Sequence, residues 1–362
     1  MRFPGFKDEW KKTIFKEVCK ISTGCKNTQD KVDNGLYPFY VRSQTIERIN
    51  EYTYDGEAIL TAGDGVGVGK VFHYSSGKIG VHQRVYLLTD FKCDGKYLFY
   101  YFSSKFYDRV KIMSAKNSVD SVRMEMIADM PISLPSLNEQ IKIRILLSKL
   151  DERIATQNKI IEDLKKLKSA IIDSHFNGVI TNRRIGDLIH EVSNRNKRNA
   201  NLPILSVSNR QGFIAQSEQF ETRVIASDDT SNYKIVIKDD FAYNPSRINV
   251  GSIARLVNYE SGIVSPMYQC FRCYDEILPE YLEQFFQSRY FQLEIEKKLE
   301  GSVRLCLSMD GIKSIQFSLL PIYEQKVLTE KLKTIQAKLD YEETMNLLYQ
   351  AQRKYLLTNL FI

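Results

Sequence analysis

The stretch that decides the fold runs from Ser136 to Phe176 and reads SLNEQIKIRILLSKLDERIATQNKIIEDLKKLKSAIIDSHF. Pro135 blocks a helix from upstream, Ser136 and Glu139 have the spacing of a capping box, and Asn177-Gly178 provides a stop. The apolar residues recur at heptad spacing, which is typical of a helix that lies along another helix. These signals predict one continuous helix that is roughly 60 Å long, a length suited to a spacer.

The end of the chain, from Pro321 to Ile362, repeats this pattern. Glu139-Gln140 returns as Glu324-Gln325, and Phe176 returns as Phe361, both after 185 residues. The chain is therefore a repeat of one unit, a globular segment followed by a long helix. We expect the two helices to pair through Ile143, Leu147, Leu150, Ile154, Ile161 and Leu164 of the first and Leu328, Leu332, Ile335 and Leu339 of the second.

The globular segments, residues 1–134 and 179–320, each show a mixed α and β pattern. Short apolar runs alternate with Gly, Asp and Asn turns, which indicates strands. One amphipathic helix is predicted in each segment, over Tyr97–Met113 and Tyr281–Leu299. Ser121-Val122-Arg123 returns as Ser302-Val303-Arg304 before each long helix. Arg123 and Arg304 would either face phosphate or only hold the link to the helix.

Composition sets the class of protein. A chain of 362 residues is long enough for two domains with their own cores and the two helices. It has 43% hydrophobic and 26% charged residues, as soluble globular proteins do, and no apolar run approaches a membrane span. A cytoplasmic location is expected by default. The formal net charge of +7 is compatible with a polyanionic partner.

Several kinds of active site can be sought in the sequence. The glycine-rich run Gly63–Lys70 lacks the Ser or Thr of a phosphate loop and continues as a strand, so we expect a tight hairpin. Asn244-Pro245-Ser246-Arg247 is an incomplete version of the adenine-methyltransferase loop. The Cys270/Cys273 pair lacks the second pair of ligands that zinc usually needs. We therefore expect no catalytic residue and no metal site.

Three segments together resemble the specificity (S) subunits of Type I restriction–modification enzymes. Leu134-Pro135-Ser136-Leu137-Asn138-Glu139-Gln140, leading into Leu150-Asp151-Glu152-Arg153-Ile154, is similar to the start of the central conserved region of that family. Arg2-Phe3-Pro4-Gly5-Phe6, with Asp8-Glu9-Trp10, and Ser261–Tyr268 are similar to two further segments of it. The likeness follows the whole chain in order.

The resemblance implies an α+β fold, with two mixed α/β target-recognition domains in pseudo-twofold repeat and two long antiparallel coiled-coil helices between them. The expected borders are 1–134 and 179–320 for the domains, 135–178 for the central spacer helix and 321–362 for the C-terminal one. The family's S subunit reads a bipartite, asymmetric target in double-stranded DNA and recruits two methyltransferase (modification) subunits and the restriction (motor–nuclease) subunits. It carries no catalytic residue, and S-adenosylmethionine is expected on the methyltransferase partners. The alternative is a coiled-coil protein-interaction scaffold without DNA specificity.

Polar loop residues are the candidates for DNA contact, because Arg and Lys pair with guanine, and Asn and Gln with adenine, while phosphate contacts position the protein. Each of them could instead be a solvated surface residue. In the first domain the candidates are Arg42, Ser43, Gln44, His82, Gln83, Arg84, Lys116, Asn117 and Arg123. In the second they are Arg195, Asn196, Lys197, Arg198, Asn209, Arg210, Arg247, Asn249 and Arg304.

Overall fold

The computed structural model describes residues 2–113, 121–177, 183–209, 211–216, 229–301 and 305–361. The chain forms two compact units. The first contains Met1–Asn158 and Thr344–Ile362, and the second contains Lys159–Glu343. Each unit thus holds one globular segment together with part of each long helix, whereas the domain borders expected from the sequence keep each long helix whole.

The first unit is built on a six-stranded sheet with the order β2-β7-β5-β6-β3-β4, in which only the β3–β6 pair is parallel. A separate pair, β1 and β8, joins the start of the segment to its end. The strands are β1 Lys11–Ile14, β2 Lys20–Thr23, β3 Tyr37–Tyr40, β4 Glu47–Ile49, β5 Tyr54–Ala62, β6 Phe72–Val81, β7 Val85–Thr89 and β8 Pro131–Leu134. The helices are α1 Phe15–Val18, α2 Gly95–Met113 and α3 Met124–Ala128.

The second unit divides its strands between two four-stranded sheets, β10-β17-β14-β15 and β12-β11-β16-β13, and the pair β9–β18. The strands are β9 Arg183–Arg184, β10 Ile189–Glu191, β11 Ile204–Ser208, β12 Gly212–Ala215, β13 Lys234–Ile237, β14 Phe241–Tyr243, β15 Ile253–Arg255, β16 Ser261–Val264, β17 Gln269–Cys273 and β18 Gln316–Phe317. The helices are α5 Pro279–Phe286, α6 Arg289–Glu296 and α7 Met309–Lys313.

One predicted helix is divided in the structure. The run Tyr281–Leu299 forms α5 and α6 because Ser288 begins a new helix between them, its hydroxyl accepting a hydrogen bond from the Phe291 N–H at 3.1 Å. In the first unit the predicted helix over Tyr97–Met113 is continuous in α2. The remaining elements confirm the mixed α and β expectation for both globular segments.

The two long helices are α4, Leu137–Phe176, and α8, Ile322–Asn359. Both confirm the heptad-based prediction to within three residues at each end. The capping-box expectation for Glu139 needs a correction, because its buried carboxylate accepts two hydrogen bonds from the Arg2 guanidinium, at 2.9 and 2.8 Å. Among the described residues, no helix combines the length and apolar character required to cross a membrane.

Within each unit α4 and α8 run antiparallel, as expected. The polar pairs that join them are Asp151 with Arg353 and Asn158 with Asn346 in the first unit, and Lys165 with Glu343 and Lys168 with Gln336 in the second. The residue number in α8 falls as the number in α4 rises. The helix pair is therefore a mixed seam in which polar contacts alternate with apolar ones.

The expected register of the helix pair needs a correction. The heptad pattern predicts that Leu150 faces Leu332, Ile335 and Leu339, but Leu150 is buried in the core of the first unit together with Leu356. The register follows from the helix ends, which are anchored in the unit cores. Of the other predicted interface residues, Ile143, Leu147, Leu332 and Leu339 are buried, and Ile154, Ile161, Leu164, Leu328 and Ile335 are partly buried.

Each unit core is closed by the last residues of a long helix. In the first unit Phe361 packs edge-on against Tyr97, with ring centroids 5.6 Å apart. In the second, Phe176 packs against Tyr281 with centroids 5.4 Å apart. Each tyrosine hydroxyl also donates to a backbone carbonyl at 3.2 Å, Ser133 for Tyr97 and Ser318 for Tyr281. The repeat inferred from the sequence is thus a repeat of tertiary contacts.

The proposed repeat of Ser121-Val122-Arg123 also needs a correction. Val122 N–H donates to Gly63 C=O at 2.7 Å, and in the second unit Leu307 N–H donates to Pro245 C=O at 3.0 Å. Arg123 precedes α3 as Ser308 precedes α7. The counterpart of Val122 is therefore Leu307, 185 residues later, as for the long helices. Ser302-Val303-Arg304 lies outside the described residues.

Candidate nucleic-acid interface

Three loops of the first unit converge on one carboxylate. Arg42, between β3 and β4, donates through Nη1 to Asp64 Oδ1 at 2.8 Å, and Arg84, between β6 and β7, lies 3.4 Å from Asp64 Oδ2. Asp64 belongs to the β5–β6 loop. The two arginine side chains are 47% and 64% exposed, while that of Asp64 is only 22% exposed. The arrangement holds two accessible guanidinium groups side by side, each free to offer further N–H donors to a ligand.

The glycine-rich hairpin positions Asp64. Gly63 N–H donates to Arg84 C=O at 2.8 Å, and β6 begins directly after the loop, as expected. A Cβ at Gly67 would lie 2.5 Å from the Arg42 carbonyl oxygen, so only glycine allows this approach. The glycines therefore bring the loop of Asp64 against the loop of Arg42.

His82 supports the neighbouring turn from below. It is buried, its Nδ1 accepts a hydrogen bond from the Arg84 N–H at 3.0 Å, and its Nε2 lies 3.2 Å from Thr28 Oγ1. Burial lowers the pKa of His82, and Arg42 and Arg84 lower it further. Since Nδ1 is an acceptor, the ring is neutral with its proton on Nε2. His82 therefore orients the turn of Arg84, and its ring is not presented to solvent.

The other candidates of this unit lie on the same loops. Ser43, Gln44 and Gln83 are exposed; Gln83 donates to Asn27 Oδ1 at 2.5 Å and Ser43 to Thr45 C=O at 3.1 Å. Arg123 is exposed one residue after the contact between Val122 and Gly63. Lys116 and Asn117 lie outside the described residues.

Sequence reasoning missed a second cationic cluster around Tyr107. The ammonium groups of Lys70 and Lys111 lie 5.7 and 4.1 Å from the centre of the Tyr107 ring. Gln44 and Lys70 line a cleft of about 510 Å³ beside this ring. The available signal was Lys70 itself, the last residue of the glycine-rich run, together with the aromatic-rich helix α2.

In the second unit, one candidate serves its own loop. Asn196 is buried, its Oδ1 accepts from the Ala200 N–H at 2.9 Å, and its Nδ2 donates to the Ala200 carbonyl at 3.0 Å. Arg195, Lys197 and Arg198 around it are exposed. Arg195 donates to Asn232, at 3.3 Å to both its backbone and side-chain oxygens. The loop therefore presents cations around a buried amide that holds its shape.

Arg247 and Asn249 are exposed on the loop between β14 and β15, and Asn209 is exposed at the end of β11. Gly251, on the same loop as Arg247, has a φ of 88°, and a Cβ at this glycine would lie 3.8 Å from the Asn209 Cβ. The two segments are therefore neighbours. Arg210 and Arg304 lie outside the described residues. The second unit thus brings Arg247, Asn249 and Asn209 to one edge.

The cysteines give no sign of reactive chemistry. Burial raises the pKa of Cys270 and that of Cys273 to about 12, so both thiols stay protonated at neutral pH. Cys25 is exposed, which differs from the expectation of buried thiols throughout. Within the described ranges, no group of three or more His, Cys, Asp or Glu residues is placed to hold a metal ion.

The chain has recognisable relatives among known proteins. Residues 7–166 match the family model described as "Type I restriction modification DNA specificity domain". A curated relative, the Type I restriction enzyme EcoDI specificity subunit of Escherichia coli, is 25% identical over 177 residues. That alignment covers 48% of this chain and 39% of the relative, so the match spans well under half of the relative's length.

Two solved structures share the fold. The S subunit of a Type-I restriction-modification system from M. genitalium superposes with a TM-score of 0.65 at 16% identity, over 99% of this chain and 97% of that one. A chain from a structural study of complex assembly and conformational transition of the type I R-M system gives a TM-score of 0.56 at 13% identity, over 98% and 97%. These likenesses extend the shared fold over nearly the full length of the chain.

Proposed function

We propose, from the premise that the chain belongs to the family of Type I restriction–modification specificity subunits, that it is the DNA sequence-recognition subunit of such a complex. Each globular segment would read one half of a split, asymmetric target. The chain itself would be non-catalytic and cytoplasmic. Two modification subunits, which bring S-adenosylmethionine, and the restriction subunits would supply the chemistry.

The observation that carries this proposal is the convergence of Arg42 and Arg84 on Asp64, within the segment that matches the specificity-domain model. An arginine can donate two hydrogen bonds to the major-groove edge of a guanine, which makes it the commonest base-specific contact. Asp64 limits the rotamers of both side chains before DNA arrives. This lowers the entropy lost when they bind.

The first experiment replaces the arginines one at a time. A host expressing the chain with its modification subunits would be compared with hosts carrying Arg42→Ala or Arg84→Ala, and methylated sites would be mapped across the genome. One bidentate contact discriminates by about 1–3 kcal/mol, so one base of one half-site should become degenerate while the other half-site stays the same. Lys20→Ala, which removes an exposed cation from β2, is the control. Unchanged targets in both arginine variants would remove these residues from the reader.

The second experiment exchanges residues 179–320 for the matching segment of another specificity subunit. One half-site should change, while the other half-site and the number of unread bases between them are kept. Reading one face of DNA would place the half-site centres about one helical turn apart, roughly 34 Å. Shortening α4 and α8 together should change the spacer only. A simultaneous change of both half-sites after the exchange would contradict a two-reader protein, and assembly without any sequence preference would favour a scaffold.

A further inference from the structure

Helix α8 carries a second heptad series besides the one that packs on its own chain. Its members, which we call the outer seam, alternate steps of three and four residues: Thr334, Ala337, Tyr341, Thr344, Leu348, Ala351, Tyr355 and Thr358. All eight are exposed, whereas Leu332, Leu339, Leu356 and Leu360 on the inner series are buried. The helix thus has one seam used within this chain and one seam turned to solvent.

The outer seam has the side chains of a helix–helix interface. Tyr341, Leu348 and Tyr355 are 58%, 57% and 59% exposed, and small residues stand between them. Large side chains alternating with Ala and Thr offer knobs and shallow holes to a facing helix. A row of exposed large apolar groups at constant spacing marks an interaction surface, since single exposed residues would be scattered.

The matching face of α4 is different. The residues 185 positions earlier are Lys149, Glu152, Thr156, Lys159, Asp163, Lys166, Ala170 and Asp173. Six of these eight are charged, as is usual for a solvated helix face. The repeat relates the inner seams of the two helices, but the outer seam belongs to α8 alone. Its apolar character therefore has no origin in the duplicated frame.

The charges beside the outer seam indicate the kind of partner. The flanking heptad positions carry Lys333, Lys338 and Lys354 and one acid, Asp340. Flanking charges decide which helices pair, because like charges across a coiled coil repel each other. A second copy of α8 would bring the same lysines to the interface. A helix with Asp or Glu at its flanking positions fits better.

We propose that the outer seam of α8 is the docking surface for an acidic-flanked amphipathic helix of a modification subunit. The identity of this partner rests on the proposed function; the location and the chemistry of the surface rest on the seam. The two long helices are then unequal in assembly, because α8 provides an apolar seam and the matching row of α4 does not.

The test compares two double variants of the full chain. Leu348→Glu/Tyr355→Glu places two charges in the outer seam, and Ile145→Glu/Thr156→Glu places two on exposed positions of α4. Binding of the purified modification subunit is measured by titration, and the complexes are counted by native mass spectrometry. We expect the seam variant to bind at least tenfold more weakly and the α4 variant to bind like wild type. Equal binding by both variants would overturn the inference.

Further arms separate the remaining outcomes. Lys333→Glu/Lys354→Glu should also weaken binding, and no effect would overturn the acidic partner. A wild-type chain that forms dimers by itself, which the seam variant abolishes, would assign the seam to a second copy and overturn the choice of partner. A wild-type chain that binds no modification subunit would count against the proposed function itself, which is a different result from equal binding by the two variants.

Discussion

The two units use the same backbone frame but fill it differently beneath the helix pair. In the first unit Tyr100 reaches Asp151, donating to Oδ2 at 2.8 Å, and Arg353 pairs with the same carboxylate. In the second, the corresponding pair of helix residues is Lys168 and Gln336, 2.9 Å apart. A cleft of about 830 Å³ lies beside them, lined in part by Gln284. The frame therefore tolerates the loss of an aromatic filler when polar groups line the space.

A second difference concerns the strand that follows the candidate loop. In the first unit Tyr74, on β6, packs against Phe99 with ring centroids 5.8 Å apart and donates to Glu57. In the second unit Arg255, on β15, is only 11% exposed and pairs with Asp239, Glu280 and Glu283. A buried guanidinium has to be paired, so one aromatic-to-cation difference is accompanied by acids at the surrounding positions. The units have diverged by groups of contacts and not by single residues.

The largest expected effect comes from removing the residue that closes each core. Phe361→Ala should destabilise the first unit by about 3–5 kcal/mol, because it leaves a cavity against Tyr97 and Tyr101. Phe176→Ala should do the same to the second unit. Hydrogen exchange would follow amides of α2 and α5 separately. If each variant lowered protection equally in both helices, the two cores would be one cooperative unit and the comparison would fail.

A smaller effect is expected at the first turns of the long helices. Glu139 is buried and bound by Arg2, whereas its counterpart Glu324 is exposed. Arg2→Ala leaves the Glu139 carboxylate buried with its main cation removed, so the urea midpoint of the first unit should fall clearly. Glu324→Ala should stay within about 0.5 kcal/mol of wild type, as surface changes usually do. Matching losses would show that the arm around Arg2 contributes nothing specific to the first unit.

The smallest effect is a pH dependence confined to one helix end. His175 lies 3.0 Å from the Tyr281 hydroxyl, and its counterpart 185 residues later is Leu360. Burial lowers the pKa of His175 below its usual value near 6.5. Because the unfolded chain then binds the proton more readily, this group's stability is present above about pH 6.5 and lost as the pH falls through the lowered pKa.

His175→Leu should therefore reduce the loss of α5 amide protection between pH 7 and pH 5, and leave α2 protection unchanged. Leu360→Ile, a volume-conserving change at the matching position, controls for local packing. Hydrogen exchange at the two pH values measures both. An identical pH slope in His175→Leu and wild type would exclude His175 as the source of acid sensitivity in the second unit.

Local patterns predicted most of the architecture because they depend on short-range physics. The heptads, Pro135 and the glycine after Asn177 were sufficient for α4, and the 185-residue shift was sufficient for α8. Ser288 interrupted a predicted helix because its capping bond competes with an otherwise continuous apolar period. The register of the helix pair could not be obtained this way. It follows from the anchoring of Phe176 and Phe361 in cores built by distant segments.

What the sequence by itself determined is the order of elements, the repeat and the family resemblance, since each of these is written in residue spacing. Tertiary structure alone decided which polar residues present their groups to solvent. It joined Arg42 and Arg84 through Asp64, and it buried His82 and Asn196 inside their own loops. The physical reason is that burial and ion pairing depend on contacts between loops that are distant along the chain, and residue spacing does not encode which of these loops meet.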